Sequence, residues 1–140
     1  MGKVKILLVV FLLGSVMSLV ACGSGASLED TTWKLESYGE KGNLQALMED
    51  TEITAEFKRA DRQVVGSGGL NNYFGGYEIT KNELTIKPPI GSTMMAGPEP
   101  IMDQEQEYLS LLETAENFKI EKGKLTISCS GNKILVFVAQ

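Results

Sequence analysis

The sequence predicts an α+β domain: a mostly antiparallel β-sheet or partial barrel of about seven to eight strands, with one helix packed on it. Two observations carry this. Short runs of alternating apolar and polar residues recur along the chain, bounded by Gly, Asn, Asp or Pro, and each reads as a half-buried strand. One segment alone, Ile101 to Ala115, repeats its apolar residues at spacings of three and four for the length of a helix.

In chain order, Thr32 to Tyr38 (TWKLESY) alternates and forms a first strand, with Trp33 pointing into the core. Gly39 to Asn43 is a loop, and Leu44 to Met48 fits either a short strand or one helical turn. Glu52 to Lys58 turns Ile53, Ala55 and Phe57 inward as a second strand, and Gln63 to Gly68 forms a third. Tyr77 to Thr80 and Glu83 to Lys87 make a hairpin through Lys81-Asn82, which Pro88-Pro89 should end because proline cannot donate to a ladder.

The helix then presents Met102, Tyr108, Leu109, Leu112 and Ala115 as its apolar stripe, with Ile101 and Leu111 at the margins. Asp103, Gln104, Gln106, Glu107 and Ser110 are expected on the solvent side, with Asp103 and Glu105 suiting the positive N-terminal end. Pro98 and Pro100 fix the entry. Phe118 to Glu121, Lys124 to Ser128 and Ile134 to Val138 are three closing strands.

The N-terminus has a different character. Lys3 and Lys5 precede an apolar run from Ile6 to Val20, interrupted at Gly14-Ser15, which reads as a secretory signal. Leu19-Val20-Ala21-Cys22 resembles the bacterial lipobox. That resemblance implies a signal peptide over residues 1–21 and acylation of Cys22 as the mature N-terminus. Residues 22–31, small and polar, then read as a tether. Without residues 1–21, which hold two of the 13 basic residues and none of the 18 acids, the net charge moves from −5 to −7. So acidic a chain argues against nucleic acid and against binding anionic lipid through its surface. Attachment to a membrane would come from the acyl chains on Cys22.

The sequence holds no histidine, which removes the commonest general base and metal ligand together. Cys129 alternates with Leu125 and Ile127 and reads as a small semi-buried residue rather than a reactive thiol. The glycine-rich stretch Val64 to Ile79 (VVGSGGLNNYFGGYEI) lacks the GK[ST] ending and following helix of a phosphate loop. It reads instead as a rigid corner, with Gly75-Gly76 supplying left-handed backbone at the return. No cofactor or metal is expected. For a binding role, Asn71, Asn72, Tyr73 and Tyr77 could line a concavity opposite Thr93, Met94 and Met95, although core filling is the plainer role for the two methionines.

Two stretches carry a family likeness. Gly68 to Tyr77 (GGLNNYFGGY) resembles the GC-N-x-Y-x-G-x-Y element of the META domain, or HslJ-like, family, and Ser92 to Pro98 (STMMAGP) resembles its S-T-x-M-A-C-P element. Met102-Asp103-Gln104-Glu105 is similar to the family's M-x-Q-E at the helix start. The likeness places a META domain over residues 32–140. It implies a compact β-rich fold on a secreted or lipid-anchored bacterial envelope protein, associated in some members with heat shock, antibiotic tolerance or virulence. Leu70 and Gly97 stand where the family usually has cysteines, so any crosslink or redox role of that pair is lost here.

The expected function is a non-enzymatic envelope lipoprotein, monomeric, facing outward, that binds a protein, peptide or lipid partner in stress tolerance or envelope maintenance. The outer membrane is favoured if the host is Gram-negative. A pilot lipoprotein escorting an outer-membrane protein, and a histidine-free hydrolase, are the alternatives.

Overall fold

The alternating segments pair antiparallel in chain order and close on themselves. The computed structural model describes residues 25–140; the expected signal peptide over residues 1–21 and the expected lipidation site Cys22 lie outside them. The strands are β1 (Thr32–Glu40), β2 (Asn43–Ala46), β3 (Thr54–Lys58), β4 (Gln63–Ser67), β5 (Asn72–Thr80), β6 (Glu83–Ser92), β7 (Ala115–Glu121), β8 (Lys124–Cys129) and β9 (Lys133–Ala139). The helix α1 (Glu99–Glu113) lies between β6 and β7. β1 pairs with β9 along one edge, from Trp33↔Ala139 to Glu40↔Lys133, and with β3 along the first part of the other. This closes an eight-stranded antiparallel barrel. The remaining edge of β1 holds β2, from Ser37↔Ala46 to Glu40↔Asn43, so the ambiguous segment is an exposed ninth strand outside the barrel.

Alternation decides what fills the interior. Trp33, Phe57, Tyr77, Tyr108 and Phe137 are among the fully buried side chains, with Ile53, Val64, Leu84, Leu125, Ile127 and Leu135 between them. Burying each large apolar side chain contributes ~1.5–3 kcal/mol, and a barrel of eight strands is just wide enough to be filled this way. Phe57 and Tyr77 meet edge to face at 5.3 Å. Outward positions carry ion pairs such as Lys34–Glu52, Lys87–Glu78 and Lys124–Glu36.

The seam between β6 and β7 is thin, with a single register pair, Glu83↔Asn117. Here α1 packs against β6 and β9, turning Gln104, Glu105, Tyr108, Leu111 and Leu112 inward. The buried face is therefore rotated from the expected stripe. Met102 is exposed, Leu109 is half-buried, and Gln104 is buried. Apolarity alone misjudged this face because two polar side chains, Gln104 and Glu105, find hydrogen-bond partners inside.

Three further expectations are corrected. β6 runs through Pro88-Pro89 to Ser92, because Gly75 alone on β5 faces Pro88, Pro89 and Ile90, and this bulge removes the need for proline donors. Gly75 and Gly76 lie within β5 without left-handed backbone; a Cβ on Gly75 would come 3.3 Å from Ile90 Cγ1. Nor are residues 22–31 all tether. Leu28 is buried, its carbonyl accepts from Trp33 Nε1 at 3.0 Å, and Glu29 bridges in parallel to Phe57. The Glu29 carboxylate accepts from Tyr77 Oη at 2.8 Å and pairs with Arg62 at 2.7 Å and Arg59 at 3.0 Å.

Candidate functional site

The corner of the glycine-rich stretch is short, Gly68 to Asn71, and a set of hydrogen bonds holds it. Gly69 takes φ +112°, open to glycine and rare for other residues, and Gly68 N–H donates to Asn71 O at 2.7 Å. The turn thereby aims the N–H groups of Leu70 and Asn71 at α1, where both donate to Glu105 Oε2, at 3.0 and 2.6 Å.

Asn71 completes the junction. Its Nδ2 donates to Glu105 Oε1 at 2.7 Å and to Met95 O at 3.3 Å. Its Oδ1 accepts from Met95 N–H at 2.8 Å and from Thr93 Oγ1 at 2.9 Å. Every donor and lone pair of the amide is used. One buried side chain thus ties together the corner, the loop after β6 and the helix. Beside it, Gln104 accepts from Met48 N–H at 2.7 Å and donates to Thr51 Oγ1 at 3.0 Å, fixing the 48–51 loop to the same turn of α1.

Between this pinned loop and the outer face of α1 lies an open groove of about 650 Å³. That volume falls in the range of ligand sites, ~300–1,000 Å³. Ile90, Met94, Met95, Met102 and Leu109 supply its apolar surface. Met94 is 94% exposed, Met95 59% and Met102 42%. The core-filling role expected of Met94 and Met95 is therefore corrected. Leu70 lies so close to Gly97 that a Cβ there would sit 2.7 Å from its Cδ2, so the base of this loop is already occupied.

The expected binding residues divide. Asn71, Thr93, Met94 and Met95 come together at the groove. Asn72 is exposed and engages Thr93 through its backbone, donating to Oγ1 at 3.2 Å and accepting from N–H at 3.0 Å. Tyr73 and Tyr77 belong to the core. Tyr73 Oη donates to Thr54 O at 2.8 Å, which leaves Tyr108 Oη to donate to Tyr73 at 2.7 Å. Burial pushes both phenols well above their ordinary range, and pushes Tyr77 up to about 12 with the adjacent Glu29 carboxylate adding to it. Glu105, which organises the site, reads in the sequence as a helix-dipole acid; the one signal that singled it out was its place in the M-x-Q-E element.

Hydroxyls of Ser92, Thr93 and Ser110 line the groove, yet Thr93 Oγ1 already donates to Asn71 and both Glu105 oxygens already accept. Cys129 is buried away from it, its thiol pushed up to about 12 by burial.

A family model for the META domain matches residues 26–140. The chain belongs to the META domain family. Its Leu70 and Gly97, at the family's usual cysteine positions, are in contact, so an apolar side chain stands here where those positions would carry two thiols. Among solved structures, an NMR structure of a protein from Burkholderia xenovorans matches this META chain with TM-score 0.69 and 22% identity, covering 81% of this chain and 83% of that one. A second NMR structure matches with TM-score 0.59 and 15% identity, covering 81% and 94%. At these identities the likeness is one of fold. No curated protein gives a significant match.

Proposed function

We propose that this META-domain protein is a non-enzymatic, lipid-anchored protein of the bacterial envelope that binds a partner through the methionine-lined groove, in stress tolerance or envelope maintenance. The observation that carries this reading is the exposure of Met94, Met95 and Met102 around one concavity whose loop wall is pinned by Asn71. Methionine is unbranched and polarizable, so it packs against varied apolar partners. A rigid wall lowers the ordering cost of binding.

The absence of histidine from the chain and the full engagement of Glu105 favour binding over catalysis. Acylation at Cys22 would keep the groove near the membrane. Leu28, the first buried residue among those described, is six positions on, a reach of roughly 20 Å when fully extended. The envelope placement rests on the lipobox resemblance, and the preference for the outer membrane in a Gram-negative host rests on Gly23, where an aspartate after the acylated cysteine would favour inner-membrane retention.

The test is a crosslinking pull-down from native membranes with wild type, Met94→Ser/Met95→Ser and Cys22→Ala, beside thermal melts. The expected outcome is one partner lost with the methionine variant while its melting temperature is unchanged. A partner set identical for wild type and that variant overturns the reading.

A further inference from the structure

The groove's charge is one-sided. Its charged lining residues are Glu99, Asp103, Glu105 and Glu113, and no lysine or arginine among the described residues lines it. Glu105 is spent on the corner. Glu99, Asp103 and Glu113 enter no ion pair among the described residues, and Glu113, whose Oε1 accepts from Ile90 N–H at 2.9 Å, keeps its other oxygen and its charge for a ligand. Their order on α1 is regular. Glu99, Asp103, Gln106, Ser110 and Glu113 follow at steps of four, three, four and three, which lines one face of the helix along the groove. The fourteen steps from Glu99 to Glu113 span about 21 Å of helix, with carboxylates near both ends. Met94, Met95 and Ile90 supply the opposing apolar surface, while Met102 and Leu109 add apolar surface from the helix itself.

Resting on the binding role proposed above, we infer that the groove takes an extended peptide segment of roughly six residues, a length that spans about 20 Å, with Lys or Arg towards both ends and apolar residues between. The apolar middle packs on Met94, Met95, Met102 and Leu109. The basic ends meet Glu99 and Asp103 on one side and Glu113 on the other. The same carboxylates repel anionic lipid headgroups and nucleic acid, whereas a cationic apolar segment is attracted by charge and held by thioethers.

The test follows methionine methyl signals by NMR on the full chain in lipid nanodiscs, labelled with ¹³C at the methionine methyls. Met48, exposed but outside the groove, is the internal control. Three end-blocked hexapeptides with a shared apolar middle are titrated, ending in lysine, glutamine or glutamate. The lysine peptide should shift Met94, Met95 and Met102 while leaving Met48 in place. It should bind roughly three- to ten-fold tighter than the glutamine peptide, the scale of two solvent-exposed charge contacts. Raising the salt to 0.5 M, or making Glu99→Gln/Asp103→Asn, should bring the lysine peptide towards the glutamine peptide's affinity. Glu40→Gln/Glu121→Gln, which removes two charges outside the groove, should not.

Equal binding of lysine and glutamine peptides, lost in Met94→Ser/Met95→Ser, overturns this inference while the groove remains a binding site. Equal weakening by the two charge-removing pairs also overturns it, as general attraction to an acidic protein. If no peptide moves the three groove methyls and bare anionic vesicles do, the occupant is lipid and the inference falls. If neither moves them, the binding role of the groove falls too.

Discussion

Replacing Asn71 by Asp keeps its shape and exchanges Nδ2 for an oxygen 2.7 Å from Glu105 Oε1. Met95 N–H and Thr93 Oγ1 can still donate to the other oxygen, at their present 2.8 and 2.9 Å. The perturbation is therefore two carboxyl groups in contact at a buried position. Like charges so close do not both ionise; the pair keeps one proton, which restores an O–H···O hydrogen bond. Holding that proton at pH 7 against an unfolded carboxyl value of ~4 costs at most ~4 kcal/mol, at 1.36 kcal/mol per pH unit.

The sign follows. The pair's folded affinity for its proton is raised above the unfolded value, so the variant's stability is near wild type below pH ~4 and falls as pH rises above it. With ~2.1 cal/mol/K of unfolding entropy per residue over residues 25–140, 1 kcal/mol is worth about 4 °C. Melts followed by circular dichroism should show Asn71→Asp lower by roughly 12–17 °C at pH 7 and by only a few degrees at pH 4, each against wild type at that pH. Asn71→Asp/Glu105→Gln should recover most of the loss. The glutamine oxygen takes the two backbone N–H groups and its amide donates to the new carboxylate. A loss that does not vary with pH, or no recovery in the double variant, would refute the hydrogen-bond assignment of this junction.

Three other outcomes are expected. All four tyrosines have raised phenol values, Tyr38 through burial and then Glu107, so absorbance titration at 295 nm should show none ionising near pH 10 in the folded protein. Stability is retained below pH ~10, the unfolded value, and is lost as pH climbs towards 12; a native titration step at pH 10 contradicts this. Leu70→Cys/Gly97→Cys should oxidise to an internal disulfide, given the contact of Leu70 with Gly97, and closing that 27-residue loop should stabilise by up to about 3.5 kcal/mol, read as a melting shift reversed by reductant. A chain beginning at Thr32 should melt below one beginning at Gly25, since it loses the buried Leu28, its bond to Trp33 and the Glu29–Arg62 pair; equal melting temperatures would make residues 25–31 a tether after all.

The barrel was legible because it is built by a period of two. Ile53, Ala55 and Phe57, or Leu125, Ile127 and Cys129, alternate with polar neighbours, and all six are buried. The hidden features involve backbone that side-chain patterns do not report. β6 passes its prolines through a bulge, which depends on Gly75 across the ladder rather than on the prolines themselves. Glu29 and Leu28 sit in a small polar stretch, and their anchoring depends on Arg59, Arg62 and Tyr77 far along the chain. At the site, Asn71, Thr93, Met94 and Met95 were within reach of sequence, yet Glu105 was not separable from its neighbours. On the helix Asp103, Glu105 and Glu107 look alike until the turn at Gly69 points two backbone donors at one of them.

The same junction explains why methionines can stay outside a small core. A loop carrying two adjacent methionines would ordinarily lower its free energy by folding one of them inward, at ~25 cal/mol per Å² of apolar surface removed from water. Here the inward route is closed twice. Met95 is held by its backbone, with N–H and C=O both bonded to the Asn71 amide, and Leu70 already fills the space over Gly97 at the loop's base. Collapse would break charge-assisted and buried hydrogen bonds that contribute ~1–3 kcal/mol each, so the exposed arrangement wins. Stability of the corner and availability of the groove are therefore one property. Asn71→Ala should both lower the melting temperature and reduce the exposure of Met94 and Met95 to mild oxidant, whereas Asn72→Ala, whose exposed side chain makes no hydrogen bond among the described residues, should change neither. Oxidation rates of the two methionines that stay at the wild-type value in a destabilised Asn71→Ala would break this link.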